Sequence, residues 1–361
     1  MDARADLLTA RHDALDLKRF AAELLAAAGM EAEKAAVVGG LLVDADAMGH
    51  TTHGLAQLPD YLEEIAAGAM RTSGHPTVVA DCGAAVVWDG ERLPGVWLTE
   101  HALRLGCERA AVHGLCAVSI RRCHHIACLA AFLPIATSRG LIAMIMSSDP
   151  SDAMVAPFGG RGAVFTPDPI AIGIPTGGDP ILVDMSSSIT TAGLSARLRR
   201  EERRYPGAWA IDAEGRPSDD PRVLAAEPKG ALLPTGGLDH GHKGYGLALM
   251  VEALTQGLSG YGRADGETSW GASVFVQVFD PALFGGVEAF ERQTSHLAGL
   301  CRASPPIDPD RPVRLPGDGA LAGLRAAAEQ GLAMHPGLLD GLEPYAARWG
   351  VVSPKTKKAG A

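Results

Sequence analysis

The order of apolar and polar positions divides the chain into a helical start, a long middle of short strands alternating with helices, and a helical end. Leu17 to Ala47 is rich in alanine and leucine and breaks at Ala28-Gly29-Met30, which predicts two consecutive helices. Ala84–Trp88 has the β-branched, apolar character of a strand, and Leu98–His113 that of a helix. Gly114–Ile120 and Leu141–Met146 are apolar runs that suit buried strands, and Ile181–Val183 continues the pattern. Ser273–Phe279 alternates like a strand, and two helices close the chain at 321–331 and 338–349. The Lys355–Ala361 tail reads as frayed.

Polar groups at the ends of these elements are where chemistry is expected. Arg121-Arg122-Cys123-His124-His125 follows the strand ending near Ile120, and the small apolar residues after it predict a helix up to Pro134. Two imidazoles at a strand-to-helix junction suit a general acid/base, and suit equally a hydrogen-bonded structural histidine. Gly49 and Gly54 bracket a polar loop carrying His50, Thr52 and His53, and Gln57 and Tyr61 follow His53 at helical spacing, with Pro59 bending or delaying that helix. Ser148-Asp149 ends a strand before Pro150, placed either to meet a ligand or to cap a turn. Asp184-Met185-Ser186 ends another, where a carboxylate can accept from ribose hydroxyls or cap a helix. Gly236–Leu254 is a glycine-rich loop that delivers Lys243 to the start of a long helix, a phosphate-compatible arrangement. The phosphate-loop and G-x-G-x-x-G signatures are both missing, so any dinucleotide binds by other means.

Composition narrows the function classes. A hydrophobic fraction of 47% excludes a largely disordered chain, and 361 residues favour about two domains. A net charge of -10 argues against nucleic-acid binding, and the Arg197–Arg204 segment mixes both signs like a solvated face. Six scattered cysteines, a start without a signal-peptide core and no long apolar span together predict a cytoplasmic protein off the membrane. His50 and His53 lack acidic or cysteine partners at ligand spacing, so no metal is expected.

Five separated stretches, Gly49-His50-Thr51-Thr52-His53-Gly54 with Leu58-Pro59 and Tyr61, His125, Ser148-Asp149-Pro150 with Pro157-Phe158-Gly159-Gly160, Asp184-Met185, and Lys243-Gly244-Tyr245-Gly246-Leu247, together resemble the type-2 malate/L-lactate dehydrogenase family, which includes ketimine reductases. The resemblance runs from about Leu17 to Val352. It implies an α/β (α+β) fold: a non-Rossmann NAD(P)-binding domain with a large, mostly antiparallel sheet, and a helical domain formed by both chain termini. The implied division is 1–75 with 320–361 as the helical domain, 76–125 with 240–319 as the substrate and dimer region, and 126–239 as the NAD(P)-binding region. It further implies a homodimer that uses NAD or NADP on a small-molecule substrate. Catalysis falls on His125 with His53 and Asp149, substrate binding on Thr52, Gln57, Tyr61 and Ser148, and cofactor binding on Asp184, Met185, Ser186, Lys243, Gly317, Asp318 and Gly319.

The reaction implied is hydride transfer between nicotinamide and a 2-hydroxy/2-oxo compound, with a cyclic C=N as the alternative. Gln57 stands where the family carries a carboxylate-binding arginine, so Arg121 or Arg122 is the substitute to look for. Two readings from other classes are a binding subunit that has lost catalysis and a hydrolase holding metal on His50, His53, His124 and His125.

Overall fold

The computed structural model describes residues 10–357. Its centre is one seven-stranded sheet made of Thr77–Asp81 (β1), Ala85–Asp89 (β2), Leu115–Cys123 (β3), Ile142–Ser148 (β4), Pro169–Ile174 (β5), Ile181–Ser186 (β6) and Ala272–Phe279 (β7). The spatial order is β1-β2-β3-β7-β4-β5-β6, with every neighbouring pair antiparallel except β2 and β3. The large, mostly antiparallel sheet expected from the resemblance is therefore present. Strands from residues 77–186 share it with a strand contributed some ninety residues later, so β7 locks the sheet by lying between β3 and β4.

β7 is buried on both faces over most of its length, which explains a run of Ala, Val and Phe with few polar positions. The helix Gly95–His113 packs across β3 and β7 and buries Trp97, Leu98, Leu103 and Ala110. The two predicted early helices are Ala14–Ala27 and Ala32–Ala47, packed on each other, the first capped by Asp13, whose carboxylate accepts from the Leu15 and Asp16 N–H groups at 2.8 and 3.2 Å.

The two ends of the described chain meet. Arg11–His12 pairs with Leu332–Ala333 on one side and Thr356–Lys357 on the other. The tail expected to fray is thus pinned by backbone pairing at 356–357, while 358–361 lie outside the described residues. The helix Leu338–Trp349 packs on Ala14–Ala27, and Asp318–Gln330 on Ala32–Ala47.

The segment after β3 departs from expectation. The strand continues to Cys123, residues 124–128 form no regular element, and only short turns follow at Leu129–Phe132 and Pro134–Thr137. Ala127 holds φ at 59°, a left-handed value incompatible with a continuous helix. Gly95 lets the segment pass: a Cβ there would lie 1.8 Å from the His124 carbonyl oxygen.

Candidate active site

His124 and His125 leave the end of β3 in opposite roles. His124 is fully buried, its Nε2 3.2 Å from Glu64 and its Nδ1 without a partner among the described residues. Burial holds its pKa down at about 4 against the opposing pull of Glu64. It is the hydrogen-bonded structural histidine of the pair. His125 lies against a cavity, and its Nδ1 is 2.9 Å from the Tyr61 hydroxyl. The same hydroxyl is 3.4 Å from the His125 carbonyl oxygen, and the Ala127 N–H donates to Nδ1 at 3.4 Å. Trp270 stacks on the imidazole with ring centroids 5.0 Å apart and 28° between planes. Burial first, then His53 and His124, push the His125 pKa well below that of a free histidine, so the ring is neutral at pH 7. Burial likewise drives the Tyr61 pKa upward and keeps it a phenol.

The loop 49–57 is tied down from both sides. Asp46 lies under it, accepting the Leu55 N–H at 2.7 Å, and Gly54 is required there because a Cβ would come within 2.3 Å of the Asp46 carboxyl. Desolvation raises the Asp46 pKa to about 7. Thr52 Oγ1 meets His53 Nδ1 at 2.9 Å, and the His53 and His125 rings are 6.1 Å apart. Desolvation lowers the His53 pKa to about 4. Arg197, expected on a solvated face, instead reaches Thr51, donating to its hydroxyl and carbonyl oxygen at 3.1 Å each. The Gln57 amide donates to the Thr52 carbonyl at 2.8 Å and does not line the cavity. A helix starting at Gly54 would have placed Gln57 and Tyr61 on one face with His53; the helix instead begins at Leu58, after a 3₁₀ turn, with Pro59 in its first turn.

The cavity of about 370 Å³ is walled by His53, His125, Trp270, Ser147, Ser148, Asp149, Asp152 and Thr166, and at one end by His50, Asp184, Met185 and Ser186. A second cavity, about 730 Å³, adjoins it through His50, Asp184 and Met185 and runs to Arg314, Gly317 and Gly319. Together they make a trough suited to an elongated, two-part ligand. Gly317, at φ 95°, sits where a Cβ would come 2.8 Å from the Leu182 backbone, so that wall closes only around glycine. Asp184 accepts the Ala130 N–H at 2.8 Å and faces the Cys128 thiol at 3.7 Å. His50, Cys128 and Asp184 bring one ligating atom each within 4.8 Å of one another, a three-group set rather than the four-histidine set weighed from sequence, whose members are held apart by Glu64, Thr52 and Tyr61.

Other predicted residues take quieter positions. The Ser148 hydroxyl is held by Thr255 at 2.7 Å and Gln256 at 3.0 Å, and Asp149 Oδ1 accepts from Ser151. Ser186 donates to the Ser188 carbonyl at 2.7 Å. Asp318 caps the Leu315 N–H and pairs with Arg302 rather than lining either cavity. Lys243 is exposed on the helix His242–Glu252, away from both cavities. Arg121 and Arg122 are both held by Asp89 at 2.7–3.1 Å, so neither replaces the missing clamp at position 57. Trp270, Cys128 and Arg314 escaped the sequence reading. A lone tryptophan between turn residues carries no periodic signal, and only the antiparallel pairing of β7 with β3 brings it over His125.

The sequence profile of the malate/L-lactate dehydrogenase family matches residues 13–343. Hydroxycarboxylate dehydrogenase B of Escherichia coli O157:H7 is 31% identical over 334 residues, covering 91% of each chain. The (2R)-3-sulfolactate dehydrogenase (NADP(+)) of Chromohalobacter salexigens is 33% identical, covering 90% of this chain and 96% of its own. The solved delta1-piperideine-2-carboxylate reductase of Pseudomonas syringae superposes with a TM-score of 0.79 at 27% identity, over 93% of this chain and 99% of its own. With the profile spanning most of its length and its relatives matching end to end, the chain belongs to the malate/L-lactate dehydrogenase family of oxidoreductases.

Proposed function

We propose that this protein is an NAD(P)-dependent oxidoreductase that interconverts a small C=O or C=N compound with its reduced form, with His125 as the proton-exchanging group. The observation that carries the reading is His125 on the wall of a cavity, its Nδ1 held 2.9 Å from the buried Tyr61 hydroxyl, with a second cavity sharing His50, Asp184 and Met185. Asp184, Met185 and Ser186 at the junction and Gly317 with Gly319 beyond it would hold the cofactor; the glycine-lined wall and the two-part trough fit such a ligand. Bound there, the nicotinamide gives or takes the hydride.

The remaining work belongs to the chain. With Nδ1 turned to Tyr61 and Ala127, Nε2 is the nitrogen left to exchange a proton with the ligand. The Tyr61 hydroxyl serves both states of the ring. In the working pair of states Nδ1 keeps its proton, donated to the Tyr61 oxygen while the hydroxyl donates to the His125 carbonyl oxygen, so Nε2 is the base in the neutral ring and the proton donor in the imidazolium. Trp270 and His53 exclude water and fix the ring plane. His53, Asp149 and Ser148 line this wall, with Thr52 held on His53 behind it, and the protein works as a homodimer in the cytoplasm on this reading. A cyclic C=N is the second candidate bond, favoured by the 27% identity to a piperideine-2-carboxylate reductase. Fluorescence titration of NADH and NADPH tests the proposal: saturable binding, weakened by Asp184→Ala, is expected, and failure of both cofactors to bind refutes it.

A further inference from the structure

Building on the oxidoreductase reading, we propose that the substrate is a small organic cation, an iminium or amino-carbonyl compound without a carboxylate, held between Asp149, Asp152 and Trp270. The cavity that contains His125 is lined by Asp149 and Asp152, with Asp184 where it meets the second cavity, and by the Trp270 indole, one face of which stacks on the His125 ring. An aromatic face next to carboxylates is the arrangement that recognises an ammonium or iminium ion. A carboxylate entering the same space meets like charge from Asp152 at the rim and from Asp149, although burial raises the Asp149 and Asp184 pKa values and so weakens their share of that field.

The cations that could reverse this balance are paired: Arg263, which donates to the Asp152 carbonyl oxygen, carries its charge against Glu252 at 2.7 Å. Gln57, at the position where an anion clamp is expected, is turned back on the Thr52 carbonyl at 2.8 Å. Arg121 and Arg122 share Asp89, and Arg197 is bound to Thr51. Asp149 is partly occupied, since Oδ1 accepts from the Ser151 N–H and hydroxyl, whereas Asp152 stands exposed at the rim with only the Ala153 N–H on its Oδ1.

The chemistry balances simply for a cyclic iminium. The carbon of C=N–H⁺ takes the hydride pair from the reduced nicotinamide, the π electrons return to nitrogen, and a neutral secondary amine and oxidised nicotinamide result with no proton supplied at that step. A substrate that enters as the neutral imine first takes a proton from His125 Nε2, which makes it the iminium and keeps the proton-exchanging role of that ring.

The test uses the full-length protein and two pairs, 1-piperideine against piperideine-2-carboxylate, which differ by a carboxylate, and aminoacetone against pyruvate, which exchange an aminomethyl group for one, with NADH and NADPH. The cationic member of at least one pair is expected to have a kcat/KM ~100-fold or more above its carboxylated partner, with Asp152→Asn and Asp149→Asn each lowering it by ~10-fold. Faster turnover of the carboxylated partner in both pairs overturns the proposal. Calorimetric titration of piperidinium, against pipecolate and acetate, reads the pocket without turnover. Saturable binding of piperidinium that weakens in Asp152→Asn supports the inference, and its absence overturns it. Cofactor binding is measured separately, so loss of the oxidoreductase reading and loss of the cation reading give different results.

Discussion

Replacing Tyr61 by phenylalanine is the sharpest probe of the proposed proton exchange. The ring is 1% exposed and packs on His124, His125 and Trp270 with centroids 5.8–6.0 Å apart, so phenylalanine keeps the packing and removes only the hydroxyl. What is lost is the 2.9 Å contact with His125 Nδ1 and the 3.4 Å contact with its carbonyl oxygen. Nδ1 then retains one long contact, to the Ala127 nitrogen at 3.4 Å, so a half-satisfied buried nitrogen costs about 1–2 kcal/mol of stability. The catalytic effect should be larger than this cost suggests, because the hydroxyl stabilises both protonation states of the ring. A loss of about 1.4–2.7 kcal/mol in the transition state, a ~10–100-fold lower kcat, is expected. Steady-state rates across pH 6–9 with saturating cofactor measure it, circular dichroism checks the fold, and cofactor affinity should stay within about twofold. The double variant with His125→Ala should be no slower than His125→Ala alone. A kcat within about twofold of wild type, or strictly additive losses, would refute the pairing.

Three further outcomes are expected. His53 and His124 have folded-state pKa values near 4 against an ordinary 6.5, so the unfolded chain binds more protons between these values and stability falls as pH drops through that window; each contributes roughly 2 kcal/mol of loss by pH 5. Asp46, raised to about 7, opposes part of this, because its contribution is full below its unfolded value near 3.8 and is lost as pH rises through 7; urea midpoints at pH 7.5 and pH 5 that are equal would contradict the balance. Gly95→Ala should destabilise by ~3 kcal/mol or more and abolish turnover, since its methyl would lie 1.8 Å from the His124 carbonyl oxygen; an unchanged melting temperature would show that the passage is looser than drawn. Treatment with a chelator should leave kcat unaltered, because Asp184 already accepts the Ala130 N–H and faces the Cys128 thiol, whose proton burial and Asp184 hold in place; loss of activity restored by zinc would assign His50, Cys128 and Asp184 to a metal.

The elements that bury one continuous face were legible in the sequence. Ala14–Ala27, Ala32–Ala47 and Leu338–Trp349 declare themselves by helical spacing, β3 and β4 by apolar runs, and β7 by alternation. β5 was hidden among Pro167, Pro169, Gly173 and Pro175, because proline at a strand's first residue and glycine inside it erase the usual signal. The stretch after His125 misled for the opposite reason: alanine and leucine favour a helix, but the tertiary passage beside Gly95 and the left-handed Ala127 keep it irregular.

Within the site, chemistry was more legible than recognition. The His124-His125 pair, His53 and Tyr61 stand out by type and spacing, the resemblance alone points to His125 within the pair, and the fold gathers them because the early loop meets the end of β3. Recognition depends on where charge is neutralised, which spacing does not encode. Arg121 and Arg122 look like candidate anion clamps on paper and Arg197 like part of a solvated face, yet each is already bound at 2.7–3.1 Å to a group of the scaffold. A guanidinium held by Asp89 contributes little field to a ligand, whereas the carboxylates of Asp149 and Asp152 line the cavity itself. Substituting Asp89 should therefore leave substrate preference in place while destabilising the end of β3, and substituting Asp152 should shift preference while leaving the fold intact; the two measurements, kcat/KM ratio and melting temperature, separate the charges that build the protein from those that choose its substrate.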